Sequence, residues 1–168
     1  MNRVALLIGG NQGDRERLIE QATEQIRQRI GSVVVLSSIY ETEPWGDFEI
    51  ENSKLKIENF LNRALLVETT LTPQEVLQES LAIEAGLGRQ RQQLSTFNFQ
   101  LSTRRYHSRT MDIDIIFYDD LVMDTPELML PHPRMHLRRF VLEPLAEIMP
   151  DYRHPILGKT VKELLSEL

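Results

Sequence analysis

Asp112 and Asp114 stand two residues apart in the run MDIDIIFYDD, residues 111–120. In an extended strand alternate side chains share a face. The two carboxylates therefore point the same way, about 6.6 Å apart, while Met111, Ile113 and Ile115 point into a core. Acids flanked by apolar residues are costly to bury unless paired or metal-bound. Magnesium held by one or two carboxylates and by phosphate oxygens meets that requirement; ion pairs to neighbouring arginines meet it too. Arginines are at hand, since Arg89, Arg91, Arg104, Arg105, Arg109, Arg134, Arg138 and Arg139 all fall between 89 and 139. Guanidinium stays charged and binds oxygen pairs bidentately, which suits a polyphosphate. A solvated loop would carry the same residues.

Other motifs carry less. Gly9-Gly10-Asn11-Gln12-Gly13 lies between a strand pattern and a helix pattern but matches neither common nucleotide-binding glycine motif, and it reads as a tight turn. Gly158-Lys159-Thr160 lacks the earlier glycine of a phosphate loop and reads as a helix cap. His132, in Pro131-His132-Pro133, either contacts phosphate or satisfies its own turn. No histidine has zinc spacing, and no nucleophile–base pair is legible, which leaves in-line transfer between two bound substrates.

The elements that must position these residues follow from periodicity. Residues 3–8 form an apolar strand closed by Gly9-Gly10. Asp14 caps a helix carrying Leu18, Ala22, Ile26 and Ile30, which Gly31 stops. Residues 33–42 and 57–69 read as two strands that pair antiparallel, with irregular chain at 45–56. Thr72-Pro73-Gln74-Glu75 opens a second helix with a capping box, running to about Leu87. After a long polar segment, 89–109, comes the acidic strand, then helices at 139–148 and 161–168. The order is that of a ferredoxin-like βαββαβ core. It predicts an α+β fold with an antiparallel sheet covered by helices, extra C-terminal helices, and a single domain over residues 1–168.

Composition narrows the function. With 41% hydrophobic and 26% charged residues, the 168-residue chain is ordinary for a globular protein. It has no cysteine, so a metal would be held by oxygen or by the four histidines, which favours a hard ion. The net charge of −6 opposes non-specific attraction to nucleic acid or an anionic membrane. The expectation is a cytoplasmic monomer whose partners are small molecules.

Seven blocks, in order, carry a resemblance to a known family: GGNQGD (9–14), SSIYETEPWG (37–46), FLNRALLVET (60–69), IEAGLGRQR (83–91), RTMDIDIIFYDD (109–120), LPHPRMHLRRFVLEPLAEIMP (130–150) and HPILGKTVKELL (154–165). At these residues the chain resembles the 6-hydroxymethyl-7,8-dihydropterin pyrophosphokinases. The resemblance implies an ATP-dependent diphosphotransferase of folate biosynthesis that moves diphosphate to a pterin alcohol and releases AMP. It implies that Asp112 and Asp114 ligate two magnesium ions, with Arg89, Arg109 and Asp114 catalytic. Glu84, Arg91, Ile115, His132 and Arg138 would contact ATP. Phe60 and Phe140 would sandwich the pterin, Asn62 would bond its edge, and backbone near Thr42 and Trp45 would read the rest. Two rings and an amide suit a flat heterocycle; periodicity alone assigns both phenylalanines to the core.

The chain departs from the family pattern at Gly10, Trp45, Leu81 and Tyr106-His107-Ser108, the last within a lengthened 92–108 segment. Two rival readings remain at this level. One is another magnesium-dependent nucleotidyl- or phosphotransferase. The other is a ferredoxin-like RNA- or ligand-binding module, which needs a basic surface that this acidic chain lacks.

Overall fold

The computed structural model describes residues 1–42, 59–89 and 111–168. The residues predicted to be irregular at 45–56, and most of the long polar segment, lie outside the described residues.

Among the described residues, β1 (Asn2–Gly10) is the axis of the fold. Residues 4–10 are all buried, as an apolar run covered on both faces should be. It pairs antiparallel with β4 (Phe60–Thr69) on one side and β5 (Asp112–Tyr118) on the other. β2 (Ser32–Leu36) and β3 (Tyr40–Thr42) both pair antiparallel with β4, and the sheet order is β2-β4-β1-β5. This is the predicted α+β ferredoxin-like arrangement. A small β6–β7 ribbon (Met123–Asp124 with Met129–Leu130) lies beside β5.

Helices cover both faces. On one, α1 (Arg15–Arg29) buries Ile19, Ala22 and Ile26, and α2 (Pro73–Glu84) buries Val76 and Ile83 against Leu6, Ile8, Leu65 and Ile115. The Asp14 cap and the Thr72–Glu75 capping box form as the sequence predicts. On the other face, α3 (Arg139–Ile148) and α4 (Val161–Ser166) pack Val141, Leu142, Leu145 and Leu164 on Ala5, Leu7, Ala64 and Phe117. Thr160 caps α4 with Glu163, which makes Gly158-Lys159-Thr160 the helix cap expected of it.

Two local readings are corrected, and β5 adds an irregularity of its own. Gly9 and Gly10 are strand, not turn: they pair with Asn62 and Leu61, and the turn begins only at Asn11. Residues 33–42 are two strands rather than one. Leu36 pairs with Leu65 but Tyr40 with Asn62, so the chain gains a residue at 37–39. Buried Ser37 fixes that irregularity, donating its N–H to Ala64 O at 2.9 Å and accepting the Ala64 N–H at its Oγ at 3.0 Å. A one-residue gain flips every later side chain to the other face, so Tyr40 and Thr42 look toward α3. Finally, the fully apolar end of the acidic strand is a bulge. Leu6 pairs with Ile115 and Ala5 with Phe117, leaving Ile116 extra, and both Ile116 and Phe117 face α3.

Candidate active site

Register decides which side chains meet. Gly9 lies opposite Asn62 on one side and opposite Asp112 on the other, and Leu7 opposite Ala64 and Asp114. Leu7 and Ala64 belong to the core under α3, so Asn62, Asp112 and Asp114 face α3 as well, and Phe60 two residues before Asn62 joins them. Met111, Ile113 and Ile115 are buried, Ile113 and Ile115 on the opposite face, as alternation predicts. Asn62 and Asp112 stand about 10 Å apart, two strand spacings, across a glycine.

Gly9 does not stand out in the sequence, because an apolar strand ending in two glycines reads as a strand followed by a turn. A Cβ there would sit 2.4 Å from Asn62 Oδ1 and 2.7 Å from Leu61 O. The missing side chain lets the buried Asn62 amide lie over β1, while Asn62 Nδ2 donates to Thr42 Oγ1 at 2.9 Å.

β5 is an edge strand, so one row of its backbone groups has no strand partner, and the site uses that row. The Ile113 N–H donates to buried Glu84 Oε2 at 2.6 Å. Three residues on, Ile116 O accepts from the His132 N–H at 3.0 Å. Glu84 from α2 and His132 from the loop before α3 are thereby fixed beside the aspartates. A cleft of about 280 Å³ opens here, lined by Leu77, Ile113, Asp114, Ile115, Leu128, Met129 and His132 among others. A second cavity, about 310 Å³ among Arg3, Phe117 and Tyr152, lies at the far end of the sheet and holds none of the candidate residues.

Burial of the His132 ring pushes its pKa down to about 4; the Arg138 charge adds to this, the Asp112 charge opposes it, and Arg134 lowers it further. His132 is therefore neutral near pH 7. Its Nδ1 accepts the Arg134 N–H at 3.3 Å, which leaves Nε2 as the protonated nitrogen and a hydrogen-bond donor. The Arg138 guanidinium carbon lies 5.7 Å from the centre of the half-buried Phe140 ring, a cation–π distance that ties the first residues of α3 together.

The fold thus brings together Thr42, Phe60, Asn62, Asp112, Asp114, Ile115, Glu84, His132, Arg138 and Phe140. Arg91, Arg109 and Trp45 lie outside the described residues. Arg89 ends the turn after α2, and of it only the backbone is described.

A family model described as 7,8-dihydro-6-hydroxymethylpterin-pyrophosphokinase matches residues 5–150. The chain belongs to that family. It is 38% identical to the 2-amino-4-hydroxy-6-hydroxymethyldihydropteridine pyrophosphokinase of Methylorubrum extorquens, over 100% of this chain and 94% of that one. To the Aquifex aeolicus enzyme of the same name it is 35% identical, over 99% and 92%. Among solved structures, wild-type HPPK-DHPS from Plasmodium falciparum superposes with a TM-score of 0.70 at 16% identity, over 99% of this chain and 44% of that one. That likeness is one of fold, and this pyrophosphokinase chain spans less than half of the longer protein.

Two outcomes follow from this geometry. Gly9→Ala places a methyl against a strand carbonyl that cannot rotate away, and it should lower stability by about 1–3 kcal/mol in denaturant unfolding. His132 has its ordinary pKa of 6.5 when unfolded and about 4 when folded. Between those values the unfolded chain holds the proton and the folded chain does not, so this contribution is complete above pH 6.5 and is lost on acidification. His132→Gln should therefore flatten the fall of Tm with pH between about 6.5 and 4.

Proposed function

We propose that the cross-strand row Asn62–Gly9–Asp112 is the line along which diphosphate passes from ATP to the hydroxyl of 6-hydroxymethyl-7,8-dihydropterin. The family membership supplies the reaction: ATP-dependent pyrophosphoryl transfer in folate biosynthesis, with ATP as co-substrate. The row is the observation that carries the assignment of residues. It sets an amide, with Thr42 and Phe60 beside it, at one end and two acids at the other, across a floor without a side chain.

The pterin lies on the Asn62 side, stacked between Phe60 and Phe140, with Asn62, Thr42 and backbone near Trp45 reading its edge. ATP enters from the β5 edge, its adenosine against Ile115 and the cleft, with Glu84 beneath. His132 and Arg138 meet the phosphates, joined by Arg89, Arg91 and Arg109.

Among the described residues no three or more histidine or acidic side chains gather as a metal site. Two half-buried aspartates on one face nonetheless fit magnesium, which keeps water and phosphate oxygens beside one or two carboxylates. Asp112 and Asp114 would hold two ions, which when bound neutralise phosphate charge.

The pterin hydroxyl oxygen attacks the β-phosphorus in line. The new O–P bond forms as the bond from β-phosphorus to the oxygen bridging to the α-phosphate breaks, AMP leaves with that oxygen, and the hydroxyl proton is released. The side chains supply orientation and charge rather than a covalent intermediate. We read the protein as a single-domain cytoplasmic monomer; among the described residues no helix is long and apolar enough to cross a membrane.

Product analysis tests the reaction. AMP should form from ATP only when the pterin alcohol is present, and ADP or free diphosphate in its place would contradict it. Asp112→Asn and Asp114→Asn should each lower kcat by about a hundredfold or more with Tm little changed. Near-normal turnover in either would remove the metal assignment.

A further inference from the structure

Glu147, in the last turn of α3, is exposed, yet its carboxylate is fully engaged. Both oxygens accept from the Ser38 N–H at 3.1 Å, Oε2 also accepts from Ser38 Oγ at 3.1 Å, and Oε1 from the Tyr40 hydroxyl at 2.8 Å. Exposed carboxylates ordinarily gain little from a single partner. Here all the donors come from one short segment more than a hundred residues away in the chain. Tyr40, then burial opposed by the Ser38 bonds, leave the Glu147 carboxyl below the usual carboxylate range, so it is ionised at neutral pH.

The segment it grips is the irregularity that turns Tyr40 and Thr42 toward α3. Ser37 and the Arg63 Nε–H, which donates to Ser37 O at 3.0 Å, hold that segment to β4. Glu147 holds it to α3. Two residues past Tyr40 comes Thr42, bonded to Asn62; two turns before Glu147 on the same helix comes Phe140. A flat ring between two aromatic rings needs a gap of roughly 7 Å, two carbon contact distances. Something must set the spacing of α3 from the β3–β4 wall.

We infer that Glu147 is a positioning residue for the pterin acceptor: its grip on Ser38 and Tyr40 fixes the distance between the Thr42–Asn62–Phe60 wall and Phe140. This rests on the placement of the acceptor given under Proposed function. Glu147 touches neither substrate, so its effect belongs to acceptor binding, not to ATP or the transfer step.

Steady-state kinetics with each substrate varied, beside thermal unfolding, tests this on Glu147→Ala, Glu147→Gln, Tyr40→Phe and Asn62→Ala. Glu147→Ala should raise the pterin KM about tenfold, with kcat and the ATP KM within about twofold. Glu147→Gln keeps one acceptor oxygen and should raise it about threefold, as should Tyr40→Phe. Adding Tyr40→Phe to Glu147→Ala should add little, because the two act through one contact. An unchanged pterin KM in Glu147→Ala, with Asn62→Ala raising it, would overturn the positioning role and leave the acceptor site standing. An unchanged pterin KM in Asn62→Ala would overturn the acceptor placement and this inference with it. Equal changes in both KM values and kcat, tracking a loss of Tm, would reduce Glu147 to a structural tie and overturn the proposal.

Discussion

Because β1 is hydrogen-bonded on both sides, a single register sets the whole site. Slipping β1 by one residue against β5 would turn Asp112 and Asp114 to the α1–α2 face, among Ile8, Ile19 and Ile26, where an unpaired carboxylate is far more costly than in a half-open cleft. A slip against β4 would do the same to Asn62. The apolar residues of β1 that alternate between the two cores exclude both slips, since a one-residue shift would turn Gly9 into the α1–α2 core and bring Ile8 or Gly10 over the site. The glycine at position 9 and the leucine at position 7 are therefore one constraint seen twice. One leaves a gap between Asn62 and Asp112, and the other closes the floor two residues further in.

The edge position of β5 is the second condition. An unpaired strand edge offers its N–H and C=O groups to any passing chain. Here the Glu84 carboxylate and the His132 N–H take up two of those groups, on either side of the stretch that holds Asp114 and Ile115. The same contacts that protect the edge from another strand place two polar side chains beside the aspartates. A central strand would have spent those groups on a neighbour.

How far this was legible in the sequence depends on range. Helix caps at Asp14, Thr72 and Thr160 were readable because both partners lie within one turn. The paired aspartates were readable because strand alternation is local. The bulge at Ile116 and the gained residue at 37–39 were not, since each is defined only by the partner strand, and the apolar run IIFY gives no sign of where it changes face. Gly9 was hidden for the same reason: its role depends on Asn62, fifty-three positions away. Phe60, Asn62 and Phe140 stand out only by family resemblance, and periodicity alone assigns the two phenylalanines to the core. Phe60 is in fact buried, so the local reading described its environment correctly and was silent on what it faces.

In the proposed site, charge balance would give the metal a role before any bond is broken. The chain carries −6 overall, and in the proposed site the phosphates of ATP would come to rest beside Asp112 and Asp114. His132 does not help with charge, because burial and Arg138 keep it neutral at ordinary pH. Two carboxylates facing a polyphosphate across a few ångströms, with the solvent partly excluded, repel far more strongly than they would in open water. Magnesium held by Asp112 and Asp114 in the proposed site would offset that repulsion by neutralising phosphate charge. In the proposed site, the acids that look hostile to ATP would thus make its binding depend on magnesium, and the sheet register that aims them at the cleft is what places them there.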